Sequence, residues 1–197
     1  MLERGAERLR VELPDEAALL VLKFLILLEK WNARINLTGT RTDREIVERH
    51  LLDSMALLPH VPADARRLVD VGSGAGLPGA VLAMFLPDLT VTALEPIRKK
   101  QAFLSALRRE LPLPNFDPHP RRVEAYLASS AFGPFDVAVS RATWPVGEWL
   151  QIGASLVRPG GVVLGMEAAD ATDLPPDVTR HPYQLADRTR AIIRWQR

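Results

Sequence analysis

Two carboxylates and a run of glycines are where this chain of 197 residues most openly offers chemistry. Asp70 sits in the short apolar run Leu68–Val71, which opens into Gly72-Ser73-Gly74-Ala75-Gly76-Leu77-Pro78-Gly79. A strand that hands the chain to a helix through glycines can adopt positive φ and bring backbone close to a ligand. Pro78 suits the first turn of that helix, where its missing N–H costs nothing. Asp70, just before the first glycine, could meet a cationic amine. The glycines alternate, whereas a dinucleotide fingerprint spaces them G-x-G-x-x-G. Acid and spacing together favour S-adenosylmethionine over NAD, and a strand–helix turn without a ligand is the plain alternative. Glu95 ends a second apolar run about 20 residues beyond Gly74, where nucleotide-binding α/β folds place a carboxylate for ribose hydroxyls. The alternative there is a carboxylate capping a helix. Arg122-Val123-Glu124 is a further candidate lip for an adenine ring, or ordinary solvated charge.

His50 and Asp53 lie one helical turn apart. They read either as a hydrogen-bonded pair on a helix surface or, with the Asn36-Leu37-Thr38 turn, as one wall of a substrate cleft. The chain has no cysteine, which removes disulfides, zinc–thiolate sites and thiol nucleophiles together. No metal site is expected. The net charge of +1 says little about partners. No apolar run reaches the ~20 residues that span a bilayer, and the beginning lacks a signal-peptide pattern, so a cytoplasmic protein without membrane contact is expected.

The elements that must position these residues follow a simple rhythm. Up to Pro62 the chain is helical: Asp15 and Glu16 open an amphipathic helix ending near Trp31. Thr42-x-x-Glu45 is then a capping box that starts a second helix, stopped by Pro59 and Pro62. From Arg67 the order is strand, helix, strand, helix, which argues a parallel sheet covered on both faces. The expected strands are Leu68–Val71, Leu89–Leu94, Phe116–His119, Phe135–Ser140 and Val162–Met166. Leu77–Phe85, Ile97–Glu110, Glu124–Ala128 and Pro145–Leu156 are the expected helices. Pro118 and Pro120 put the third strand at an edge. Extended patches around Tyr183 and at Ala191–Trp195, with no helix between them, predict an antiparallel hairpin that closes the sheet.

Taken in order, Asn36-Leu37-Thr38, His50-x-x-Asp53-Ser54, the Asp70–Gly79 segment, Arg122-Val123-Glu124 and Ser140-Arg141-Ala142 resemble the bacterial small-subunit ribosomal RNA methyltransferase G family, also called glucose-inhibited division protein B. The likeness runs from about Trp31 to the terminal strands. It implies an α/β, Rossmann-like class I S-adenosylmethionine-dependent methyltransferase fold: a mostly parallel seven-stranded sheet with an antiparallel C-terminal hairpin. Residues 1–62 would be a helical extension packed on a methyltransferase domain of residues 63–197. The implied reaction moves a methyl group from S-adenosylmethionine to N7 of a guanine in 16S rRNA and leaves S-adenosylhomocysteine. The partner would be 16S rRNA or the small ribosomal subunit, and the enzyme a monomer.

By the same resemblance, Asp70, Gly72 and Gly74 would hold the methionine end of the cofactor, and Ser73, Gly76, Leu77 and Pro78 would also be cofactor-binding. Glu95 would take the ribose, and Val123 and Glu124 would border the adenine. Arg141 would stand between cofactor and RNA, with Asn36, His50 and Asp53 positioning the substrate. Guanine N7 carries a lone pair and no proton, so attack on a sulfonium methyl needs no general base. Where the family carries a Lys-Gly pair after the fifth strand, this chain has Gly165-Met166-Glu167, and Glu167 is expected to repel RNA phosphate. RNA binding would then fall to basic groups: Arg41, Arg44 and Arg49; Arg98, Lys99 and Lys100; Arg188, Arg190, Arg194 and Arg197. The competing classes are a methyltransferase of another substrate and a non-catalytic RNA-binding or assembly factor of the same fold.

Overall fold

The computed structural model describes residues 1–39, 42–130, 132–141, 143–168, 174–185 and 188–197, with backbone alone at 43 and 168. Arg41, Ala142 and Asp187 therefore lie outside the described residues.

Seven strands form one sheet in the order β3-β2-β1-β4-β5-β7-β6. They are β1 (Arg67–Val71), β2 (Thr90–Leu94), β3 (Phe116–His119), β4 (Phe135–Arg141), β5 (Val157–Ala168), β6 (Thr179–Leu185) and β7 (Arg188–Gln196). β1 to β5 pair in parallel, and β7 runs antiparallel to both β5 and β6. The expected hairpin and edge position of β3 are both present. The parallel strands read as near-continuous apolar runs because both faces are covered: Leu68, Val69, Val91, Ala93, Val137, Ala138 and Val139 are fully enclosed.

Helices supply the cover. They are α1 (Leu2–Leu9), α2 (Asp15–Ile35), α3 (Asp43–Ile46), α4 (Leu52–Met55), α5 (Gly79–Phe85), α6 (Arg98–Glu110), α7 (Val123–Leu127) and α8 (Val146–Leu156). A π-helical turn, Val47–Leu51, joins α3 to α4. The capping box is formed, Thr42 Oγ1 accepting the Glu45 N–H at 3.3 Å. α2 buries Val21, Phe24, Leu27 and Leu28 against α5 and α6, with Phe24 and Trp31 edge-on to Phe103 of α6. The N-terminal helices thus share one core with the sheet's α5–α6 face. Among the described residues no helix is long and apolar enough to cross a membrane.

Several boundaries differ from the sequence reading, each for a physical reason. α2 continues past Trp31 to Ile35 and stops where Asn36 takes a left-handed conformation at φ 45°. The helix expected from Leu77 begins at Gly79, because Ser73–Leu77 is a tight turn closed by Gly76 and Leu77 N–H bonds to the Ser73 carbonyl. β5 starts at Val157 rather than Val162. Its Pro159-Gly160-Gly161 segment is held in the sheet by two backbone hydrogen bonds to Arg197, of 2.8 and 2.9 Å. α1, at Leu2–Leu9, has no counterpart among the helices expected from the sequence.

Candidate active site

The strand order reverses between β2 and β4, which flank β1 on opposite sides. In open α/β sheets the crevice beyond the carboxyl ends of the strands at such a point is where ligands bind. Here the carboxyl end of β1 runs into the glycine turn and that of β4 into Arg141. Ser140 Oγ donates to the Val71 carbonyl at 2.9 Å, tying the two strand ends together beneath Arg141.

The turn itself is built around Asp70. Its carboxylate is buried; Oδ2 accepts Ser73 Oγ–H and, at 2.9 Å, the Gly79 N–H, while Oδ1 is buried without a partner. Burial pushes Asp70 up to about 6, against the pull of these hydrogen bonds and of Arg141. The carboxylate is therefore largely ionised at neutral pH, with one oxygen still wanting a donor. Gly72 and Gly74 have φ of 77° and 60°, the left-handed region that only glycine enters freely. A side chain at Gly72 would also start 2.7 Å from Thr143 Oγ1.

Glu95 follows β2 and is buried. Oε2 accepts the Gly74 N–H at 2.9 Å and Oε1 the Ile97 N–H at 2.8 Å. Both readings of this acid are thus physically compatible: it caps the start of α6, and each oxygen keeps a lone pair for a further donor. Val123, the first residue of α7, is buried, and Glu124 beside it is exposed.

A cleft of about 860 Å³ opens over the turn, walled by Gly72–Ala75, Thr38, His50, Asp53, Arg141 and Arg190. Leu37 and Thr38 reach it because Asn32 Oδ1 accepts both of their N–H groups, at 2.6 and 3.2 Å. Asn36 does not line the cleft. It is exposed, and its Oδ1 accepts the Gly39 N–H at 3.1 Å, so its part is to shape the turn. Asn32 is the turn's organiser; the sequence reads Trp31-Asn32 with Asn36–Gly39 as a polar turn, whereas Asn32 lies in the last turns of α2 and reaches forward to Leu37 and Thr38.

His50 and Asp53 do not bond to each other as a surface pair. His50 sits in the π-helical turn with both ring nitrogens buried and unpartnered, and burial plus Arg141, Arg49 and Arg190 lowers it to about 4. It is neutral at physiological pH, one nitrogen a donor and the other an acceptor. π-bulges of this kind concentrate at functional sites. Asp53 is 2 % exposed and holds three groups: Tyr183 Oη donates to Oδ1 at 2.5 Å, Arg190 Nε lies 2.9 Å from the same oxygen, and Arg141 Nη1 lies 3.6 Å from Oδ2. Tyr183 was legible as part of a strand and Arg190 as part of a basic group, but their joint contact with Asp53 was not.

Each basic group sends some of its members to the cleft, and Arg98 and Arg194 are not among its lining residues. Arg44, Arg49, Lys100, Arg188 and Arg190 all border the cleft, while Lys99 instead donates to the Ile35 carbonyl at 3.2 Å, and Arg197 donates to the Val157 carbonyl. Arg44 and Arg49 are paired one turn away with Glu48 and Glu45, at 3.1 and 3.3 Å. Glu167 is not an isolated negative charge facing substrate. It pairs with Arg180 of β6, so the expected repulsion is largely cancelled within the sheet. Among the described residues there is no cluster of three metal-ligating side chains.

A seven-stranded sheet with a terminal antiparallel pair and a glycine turn at its switch point is the methyltransferase fold. Magnesium protoporphyrin IX methyltransferase from Synechocystis aligns with TM-score 0.61 over 94 % of this chain and 98 % of its own, at 14 % identity. The O-methyltransferase TomG from Streptomyces achromogenes aligns with TM-score 0.59 over 92 % and 89 %, at 18 % identity. Sequence similarity narrows this further. The model of the family described as rRNA small subunit methyltransferase G matches residues 18–175. Proteins named Ribosomal RNA small subunit methyltransferase G are 40 % identical over 166 residues in Methylobacillus flagellatus and 44 % identical over 167 in Alkalilimnicola ehrlichii. Those alignments span 84 % of this chain and 78 % and 73 % of the relatives. The chain belongs to the rRNA small subunit methyltransferase G family.

Proposed function

We propose that the chain, acting as a cytoplasmic monomer, methylates N7 of a guanine in 16S rRNA, with S-adenosylmethionine as methyl donor. The observation that carries this is the convergence, on one cleft, of the glycine turn built around the half-satisfied Asp70 and of basic side chains from four separate parts of the chain, Arg44 and Arg49, Lys100, Arg141, and Arg188 and Arg190. The residues fit the donor. Asp70 Oδ1 offers an acceptor to an ammonium, Gly72 and Gly74 let the backbone approach, and the free lone pairs of Glu95 suit a vicinal diol. Val123 and Glu124, which do not line the cleft itself, would border the adenine beyond Glu95.

S-adenosylmethionine supplies a sulfonium-activated methyl that a lone pair takes by in-line displacement, leaving the neutral thioether of S-adenosylhomocysteine. The protein's own task is positioning, with N7 held about 3–3.5 Å from the methyl carbon and opposite the sulfur. Arg141, 3.6 Å from Asp53 and next to Ser140 with its bond to Val71, lines the cleft and would meet the base as it enters. His50, neutral and unpartnered, offers a donor and an acceptor to a base edge. No proton leaves N7, so none of these groups has to act as a base.

The test is transfer of labelled methyl from S-adenosylmethionine to small subunits, and to naked 16S rRNA, prepared without the modification, followed by mapping of 7-methylguanosine. Incorporation at one guanine is expected. Cofactor binding with no transfer to either RNA form would overturn the enzymatic reading and favour the non-catalytic factor. Transfer to a small molecule or protein alone would move the substrate.

A further inference from the structure

A second cavity, of about 370 Å³, opens beside the cleft between α1 and the end of β6. Arg44, Glu48 and Leu185 line both spaces, so the two are separated by a single wall. Arg4 and Arg8 of α1 line its far side. The helix is held in one rotation: Gly5 and Ala6 are buried, and a Cβ on Gly5 would fall 2.4 Å from Leu52 Cδ1, so the backbone lies directly on α4. That contact leaves Arg4 and Arg8 exposed one turn apart along the cavity, roughly 5–6 Å between their Cβ atoms. Among the described residues Glu48 is the only carboxylate lining the cavity, and it already pairs with Arg44 at 3.1 Å. The guanidiniums of Arg4 and Arg8 are left as surplus charge.

We propose that this cavity is a phosphate-binding site for the RNA strand flanking the target nucleotide. The backbone would leave the cleft over the Arg44–Glu48 wall and place two successive phosphates on Arg4 and Arg8. A polyanion is favoured over a small anion because the charges lie in a row and the row continues the cleft. The spacing of two guanidiniums one helical turn apart is within reach of adjacent phosphates on one strand, and arginine suits bidentate phosphate contact. The site rests on the reading of the cleft as an RNA methylation site. It gives α1, which contributes nothing to the glycine turn, a part in substrate binding.

The experiment compares the full chain with the double variant Arg4→Ala/Arg8→Ala and with Arg4→Lys/Arg8→Lys, using RNA methyl transfer across a range of salt. The alanine variant is expected to raise KM for RNA about tenfold, to leave kcat and cofactor affinity unchanged, and to flatten the plot of log affinity against log salt by about 1.4, two single-strand contacts' worth. The lysine variant is expected to keep the steeper salt dependence. Both positions are exposed and alanine favours helix, so an unaltered melting temperature checks that the fold is intact. Unchanged KM and salt slope in the alanine variant of an RNA-active protein would overturn this site alone. A wild-type chain that binds the cofactor and methylates no RNA would overturn the cleft's assignment and this site with it.

Discussion

Tyr183 Oη donates a 2.5 Å hydrogen bond to Asp53 Oδ1, joining α4 to β6 across 130 residues of chain. The same carboxylate lies 2.9 Å from Arg190 Nε and 3.6 Å from Arg141 Nη1. One buried negative charge thus gathers two guanidiniums and a phenol from three parts of the chain, and the surplus positive charge faces the cleft. Burial and the adjoining carboxylate hold the Tyr183 hydroxyl far above the ordinary phenol range, so it remains a donor at every physiological pH.

Removing the carboxylate should therefore cost more than removing any one of its partners. Asp53→Ala leaves two partly buried cations without their counter-ion and is expected to lose on the order of 3–5 kcal/mol in urea denaturation. Tyr183→Phe removes one donor and leaves the ion pairs, with an expected loss of about 1 kcal/mol. If the two variants unfold at the same urea concentration, Asp53 does not organise this cluster.

The histidines and Asp70 set opposite pH dependences. His50 and His60 are both lowered to about 4, His60 by burial and by His181 and Arg194 facing it. Their folded values lie below the unfolded value of 6.5, so the stability they contribute is complete above that value and lost as pH falls toward 4. Asp70, raised to about 6, works the other way: its contribution is complete below 3.8 and lost as pH rises through 6. Two histidines outweigh one acid, so near pH 5 unfolding should take up about one net proton from these groups. Melting temperatures from pH 7.5 to 4.5 should fall, and His60→Gln should shallow that fall. An equally steep decline in His60→Gln would remove His60 from the account.

Asp70 should also make cofactor affinity pH-dependent. If its free oxygen receives a cationic amine, protonating it removes the attraction, and affinity for S-adenosylmethionine should drop as pH falls through about 6. Asp70→Asn should bind the cofactor weakly at every pH and lose that dependence. It should fold no less readily than the native chain at pH 7.5, since the buried charge is gone. Calorimetric titration at pH 5.0 and 7.5 separates these outcomes, and a native affinity indifferent to pH would count against the amine contact.

What could be read from the sequence was whatever a short window contains. The strand, glycine turn and helix at residues 68–85 are local in pattern, and Pro118 marks β3 as an edge because a missing N–H breaks a ladder wherever it falls. Asp53 and Tyr183 show the opposite case: an acid on a helix and a tyrosine in a strand carry no mark that they will meet. α1 escaped notice because Leu2–Leu9 is short, polar and interrupted by Gly5, a residue needed only once Leu52 lies against it. Pro159-Gly160-Gly161 fell outside the strand expected at Val162–Met166 because proline and glycine usually break strands, whereas here the Arg197 backbone keeps them in the sheet.

Glycines in this chain should divide sharply by what surrounds them. A Cβ at Gly79 would fall 2.6 Å from Asp70 Oδ2, the atom that accepts the Gly79 N–H. Gly79→Ala is therefore expected to displace the Asp70 carboxylate, costing about 1–3 kcal/mol of stability and most of the cofactor affinity. Gly147, near the start of α8, has no atom of the described residues within 4 Å of its would-be Cβ beyond its own helix backbone and chain neighbours. Gly147→Ala should be neutral or stabilise by up to about 1 kcal/mol, through helix propensity alone. Equal effects at the two positions, in denaturation and titration, would contradict the packing described for the turn.

The Glu167–Arg180 pair offers a test of whether the lysine that the resemblance leads one to expect near this position can simply be installed at 167. Glu167 has a side chain only 9 % exposed and lies against Arg180, itself 26 % exposed. Glu167→Lys would set two cations together in a half-enclosed place on β5 and β6, and is expected to cost roughly 2–4 kcal/mol without improving RNA affinity. Adding Arg180→Glu to that variant restores opposite signs with the positions exchanged. The double variant should recover more than half of the lost stability, and it alone presents a lysine at 167 with its charge balanced. A Glu167→Lys protein as stable as the native chain would mean that the pair contributes nothing to the sheet, and that Glu167 is held there for another reason.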